Sequence, residues 1–223
     1  MQIETQEILD IIDDPDFSRT ASISFKVETS FEIKPNDFLE FAKMDLASEY
    51  SHKDINTLSN AKRALDCQLN SLLVAFGLYK TAQKEKWKFP KKIEIINELG
   101  IVAPRVLNKI NKKRNLLEHE FIRPNPEQVD DFLDIVSLFF EATNKYINNL
   151  IKNYDFRVVR DLENSKCEIV LDGSIQLEEN TLKITLTKYK NNKEQETESF
   201  VIESNNSDYL LILGKYLQKT MKN

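Results

Sequence analysis

Hydrophobic and polar positions along the chain change period three times. Ile3, Ile8, Leu9 and Ile12 fall on one face of a short helix, which Asp13-Asp14-Pro15-Asp16 ends. Ile23, Phe25, Val27, Phe31 and Ile33 then alternate with polar neighbours, which predicts a half-buried strand over residues 22–33 closed by Pro35-Asn36. From residue 36 the spacing becomes helical. Phe38, Leu39, Ala42 and Leu46 make one stripe, and Leu58, Ala61, Leu65, Leu69, Leu72, Phe76 and Tyr79 make a longer one, with Asn56 or Thr57 as its cap. Pro90 opens a helix carrying Ile93, Ile96 and Leu99, with Gly100 where a C-terminal cap belongs. Pro104 opens the next, with Val106, Ile110, Leu117 and Phe121 inward. Asn125, Pro126 and Gln128 form an approximate capping box for a last long helix, striped from Val129 to Ile151.

After Tyr154 the period returns to two. Cys167, Ile169 and Leu171 lead to Asp172-Gly173, a turn signal, and Ile175 and Leu177 follow it as the second arm of a hairpin. Leu182, Ile184 and Leu186 form a strand linked through Asn191-Asn192-Lys193 to one near Phe200 and Ile202, and Tyr209 to Leu217 close as an amphipathic helix. A lone strand at 22–33 would leave an unpaired edge, so it is expected to join the C-terminal sheet. The expected class is α+β. Residues 1–35 form a helix and strand, 36–153 an all-α antiparallel bundle, and 156–223 a small β-rich α+β domain.

Composition narrows the chemistry. With 4 glycines among 223 residues, none within twenty positions of another, no Gly-rich phosphate loop exists. Cys67, Cys167, His52 and His119 are too scattered for a clustered metal site, so neither metal nor cofactor is expected. The acidic start lacks a signal-peptide pattern, and the longest apolar run, Leu72 to Tyr79, is far short of the ~20 residues a membrane helix needs. A cytoplasmic protein with reduced thiols and no membrane association is expected.

The net charge of −5 hides one basic segment. Residues 80–114 carry 11 basic and 3 acidic side chains, with Trp87 and Phe89 among the lysines. Such a patch attracts a polyanion even on an acidic protein, because screening keeps each charge local. Lys86, Lys88, Lys92, Lys112, Lys113 and Trp87 are the candidate RNA contacts, the aromatics as stacking platforms or as loop anchors. A solvated helical face is the plainer reading of the same charges.

At the end of that segment stands Arg114-Asn115-Leu116-Leu117-Glu118-His119. Arginine, a polar residue, and histidine after four intervening positions resemble the motif of the HEPN superfamily, and the helix order over residues 36–153 is similar to its bundle. The resemblance implies a HEPN-like fold for that stretch and metal-independent cleavage of single-stranded RNA at a site shared by two protomers. It assigns His119 as acid and base and Arg114 as phosphate clamp, with Asn115 as an amide that orients the ring or contacts phosphate. It further implies a homodimer, a toxin or phage-defence role, and an inhibitory or recruiting protein partner. HEPN toxins controlled by adenylylation often carry a tyrosine two places past the histidine; here Phe121 has no hydroxyl to modify. The alternative is a non-catalytic nucleotide- or RNA-binding or adaptor module, whose bundle holds nucleotide or RNA without cutting while the α+β part recruits another protein; the plainer reading of the motif itself is an exposed Arg114–Glu118 helix ion pair, with His119 capping the helix end or packing against Phe121.

Overall fold

The computed structural model describes residues 5–101, 124–161, 168–190 and 193–221. In chain order these form α1 (Thr5–Asp13), β1 (Ser18–Phe25), α2 (Pro35–Ala47), α3 (Lys53–Ala75), α4 (Tyr79–Lys84), α5 (Phe89–Glu98), α6 (Pro126–Asn148), β2 (Leu150–Asp161), β3 (Glu168–Glu178), β4 (Thr181–Lys190), β5 (Lys193–Glu203) and α7 (Ser207–Met221).

Local chemistry sets most helix ends. Pro35 occupies the first turn of α2, where its missing N–H costs nothing, and the Asp37 carboxylate accepts the Lys34 N–H at 2.8 Å. Asn125 caps α6 by accepting the Glu127 N–H at 3.0 Å. Helix α3 begins at Lys53, upstream of the expected cap, so Thr57 lies inside it, buried, with its hydroxyl unpartnered among the described residues. Its far end closes on Gly77, whose φ of +67° an L side chain rarely adopts. A Cβ there would also sit 2.8 Å from Asn180 N and from Glu178 O, so helix end and β3–β4 turn meet backbone to backbone.

The five strands run β1-β2-β3-β4-β5, antiparallel throughout. Period-two alternation puts Tyr154, Phe156, Val158, Ile175, Leu177, Leu182, Ile184 and Leu186 on a buried inner face. Helix α7 covers that face with Tyr209, Ile212, Leu213, Tyr216 and Leu217. Two tyrosines use apolar bodies to fill the core and hydroxyls to satisfy buried carbonyls: Tyr209 donates to Phe76 O at 2.8 Å and Tyr216 to Ile151 O at 2.6 Å. The outer face is polar. Arg157, Asp172, Thr187 and Thr197 form one cross-strand row, and Asp155, Ser174, Thr185 and Ser199 the next.

The helices do not form a separate unit. Helices α2, α3 and α6 pack together, α5 rests on α7, and α1 also packs on α7. Ile8, Leu39, Leu69, Phe132, Phe156 and Leu213 all belong to one continuous core. The expected all-α HEPN-like bundle with a small β-rich α+β domain beside it is therefore corrected: the described residues form a mixed α+β body of seven helices and one five-stranded sheet, with no all-helical HEPN bundle. The cause is that the helical stripes exceed what the helices bury in one another. At the end of α3, for example, Phe76 meets Tyr146 of α6 edge to face while its carbonyl accepts from Tyr209 of α7, so helices of both expected parts join there.

Three local expectations also change. The early strand runs 18–25, not 22–33, because Val27 N–H turns to Ile147 O at 2.7 Å, at the end of α6, and leaves the sheet. The last long helix stops at Asn148, and Leu150 starts β2, since Leu150-Ile151 satisfies both periods while Tyr154, Phe156 and Val158 satisfy only the strand. Asp172-Gly173 lies in mid-strand rather than at a turn. The β3–β4 reversal falls at Glu179-Asn180, where Asn180 takes a φ of 63°.

Candidate functional site

Arg114, Asn115, His119, Lys112 and Lys113 lie outside the described residues. Of the sequence-chosen group, Lys86, Trp87, Lys88 and Lys92 are described, and all stand on or beside the α4–α5 turn.

The turn is built tightly. Lys86 adopts a φ of 55°, a conformation uncommon outside glycine and asparagine, and so reverses the chain. Trp87 N–H donates to Ala82 O at 2.8 Å, and its indole Nε1 donates to Glu85 Oε2 at 2.7 Å. The ring is half-buried against the core, and Phe89 behind it is buried. Both aromatics anchor the turn, which leaves them little face to offer a base.

The lysines separate by partner. Lys92 has a side chain 13% exposed and stands 3.5 Å from Asp66. Lys91 pairs with Glu94 at 3.1 Å, and Lys80 with Glu179 at 2.9 Å. Lys84, Lys86 and Lys88 are exposed and form no ion pair with a described residue. Lys84 is visible in the basic segment but not singled out by it; its distinction is that no described residue pairs with it, a tertiary fact. These three lysines concentrate exposed positive charge at one turn.

A second feature escaped the sequence altogether. A cleft of about 470 Å³ with mixed polar and apolar walls lies where Gly77, Tyr79 and Lys80 meet residues 28–30, Lys152 and the Glu178-Glu179-Asn180 turn. Its walls come from segments a hundred residues apart, so no local pattern announces it. Its Lys80–Glu179 ion pair, with the Thr81–Ser204 hydroxyl bond at 3.0 Å, ties α4 to the sheet. The cleft is a joint between helices and strands.

Two other candidates resolve simply. His52 is exposed at the start of α3 and stacks on Tyr50 with ring centroids 5.5 Å apart. Burial, helped by Asp66, pushes the Cys67 thiol up to about 11, which makes it a poor nucleophile at neutral pH. Among the described residues, no three His, Cys, Asp or Glu side chains cluster to hold a metal, and no helix is long and apolar enough to cross a membrane. No protein-family model, curated protein or solved structure matches this chain.

Proposed function

We propose that the protein is a metal-independent endoribonuclease acting on single-stranded RNA, with Arg114 and His119 as its chemical pair. The observation that carries this reading is the run Arg114-Asn115-Leu116-Leu117-Glu118-His119 following, in the chain, a turn that presents Lys84, Lys86 and Lys88 without ion pairs among the described residues. RNA brings its own nucleophile. The 2′-oxygen bonds phosphorus, the bond to the 5′-oxygen breaks, and the products are a 2′,3′-cyclic phosphate and a 5′-hydroxyl. One imidazole takes the 2′ proton and another delivers a proton to the leaving oxygen, which is why two protomers, each supplying one His119 and one Arg114, suit the task. The guanidinium fork holds the phosphate oxygens as negative charge builds on them. Asn115 is one turn before His119 in a helical reading and orients the ring. The lysine turn contributes sequence-independent attraction to the RNA backbone.

The test is cleavage of single-stranded RNA in EDTA with analysis of the ends. Arg114→Ala and His119→Ala are each expected to lower the rate by about 10²-fold or more while circular dichroism stays that of the parent. Replacing Lys84, Lys86 and Lys88 together by Gln should weaken RNA binding and reduce the salt slope by about 2. RNA left intact by the purified protein, or cut equally well by His119→Ala, overturns the assignment. Binding that persists in His119→Ala without any cutting in the parent identifies the binding-module alternative.

A further inference from the structure

The sheet has two outer strands, and they are dressed differently. Of the 11 residues of β5, Lys193, Glu194, Glu196, Glu198 and Glu203 are charged. The 8 residues of β1, Ser-Arg-Thr-Ala-Ser-Ile-Ser-Phe, contain one charge, Arg19, and no proline. All eight are exposed, with Ile23 at 54% and Phe25 at 43%. A strand at a sheet edge turns a row of N–H and C=O groups outward, a template for another strand, and charges are the usual guard against it. Apart from its ladder with β2, no backbone hydrogen bond among the described residues involves residues 18–25.

We propose that β1 pairs edge to edge with β1 of a second copy of this chain, antiparallel about a two-fold axis at Ile23, joining two five-stranded sheets into one. The strand is self-complementary in that register. Ile23 faces its own copy, Ser22 faces Ser24, and Ala21 leaves room opposite Phe25. The apolar area left open at Ile23 is then covered by Ile23 of the second copy, and Phe25 is set against Ala21. Charge permits it as well: Arg19 falls opposite Val27 and Lys26 opposite Thr20, so no two charges meet. The pairing with β2 is irregular twice: between Arg19 and Ala21 the extra residue is Thr20, outside the central segment 21–25, and between Ile23 and Ser24, at the proposed axis, the extra residue is Lys152 of β2, so the register along β1 itself stays continuous from 21 to 25.

A second copy suits this edge better through its β1 than through its β5. Pairing β1 on β5 would repeat head to tail and grow without closing, whereas β1 on β1 closes at two. The rims of the joined sheet are then both β5, where glutamates repel further strands. A single strand pair buries less than the ~800 Å² per partner of a standard interface, so association in the micromolar range is expected.

The ribonuclease reading already calls for two protomers; this inference names a surface, β1, on which two copies meet, and it is read by mass rather than by cleavage. Sedimentation of the full chain across the micromolar range should show the 26.0 kDa species giving way to one of twice that mass. Ile23→Lys places two ammonium groups on the axis and should weaken the dimer by about tenfold or more. Val201→Lys makes the matching change on β5, where Val201 is 62% exposed, and should leave the equilibrium unchanged. Amide exchange in residues 21–25 should slow with rising concentration in the parent and not in Ile23→Lys. A parent that stays at 26.0 kDa, or a dimer indifferent to Ile23→Lys, overturns the proposal. So does a series of species larger than a dimer that both lysine variants abolish, since that is the signature of β1 pairing with β5.

Discussion

Asp172 and Gly173 are neighbours in β3, yet they belong to opposite faces of the sheet and answer to different physics. On the inner face Gly173 sits under the Phe156 ring, and a Cβ at that position would lie 2.2 Å from Phe156 Cζ. On the outer face the Asp172 carboxylate accepts from Nε and Nη2 of Arg157, at 2.6 and 2.8 Å. The inner contact is one of shape, with no solvent to yield, and the ring is held further by stacking on Phe17 at 4.5 Å. The outer contact is one of charge, with side chains 49% and 32% exposed, where water competes for every hydrogen bond. The sheet's stability is therefore concentrated on one side.

Gly173→Ala is the harshest test of that contrast. The added methyl must displace Phe156, and a loss of about 3 kcal/mol in urea unfolding is expected. Combining it with Phe156→Leu should recover part of the loss, because the ring is the obstacle. Tyr209→Phe comes next, at about 1 kcal/mol, since the change leaves Phe76 O without its donor. Its pH profile sharpens the comparison further. Burial raises the Tyr209 and Tyr216 phenols above the ordinary value of 10.0. The unfolded chain then releases these protons near pH 10 while the folded chain keeps them, so this contribution is intact below about pH 10 and falls as pH climbs past it. Tyr209→Phe should lose stability less steeply over that alkaline window. The smallest effect is expected outside: Arg157→Ala should cost under about 1 kcal/mol, and less at high salt. An outer substitution costing as much as Gly173→Ala would break the contrast.

Much of this fold was legible in the chain. The stripes of α3 and α6, the Asn125 cap, the proline start of α5 and the strand character beyond Tyr154 are all local properties, encoded within a few turns or a few residues. The misreadings share one cause. Asp-Gly is a turn signal because glycine tolerates left-handed backbone; at Gly173 glycine is present to make room for a ring 17 residues away in the sequence. Leu150-Ile151 continues a helical stripe equally well as it begins a strand, and only the pairing with β1 decides.

The candidate site divides the same way. Positive charge around residues 80–92 is written in the sequence, and so is the Arg114 and His119 spacing that carries the proposed chemistry. Which charges remain available is not. Asp66 claims Lys92, Glu179 claims Lys80, and the core claims the Trp87 ring, leaving Lys84, Lys86 and Lys88. Periodicity, caps and charge content follow from neighbours along the chain and were determined by the sequence alone. Partnerships, the single shared core and the contrast between a guarded edge and an open one depend on groups brought together from separate elements of the chain, as Asp66 is to Lys92 and Glu179 to Lys80, and only the tertiary structure could decide them.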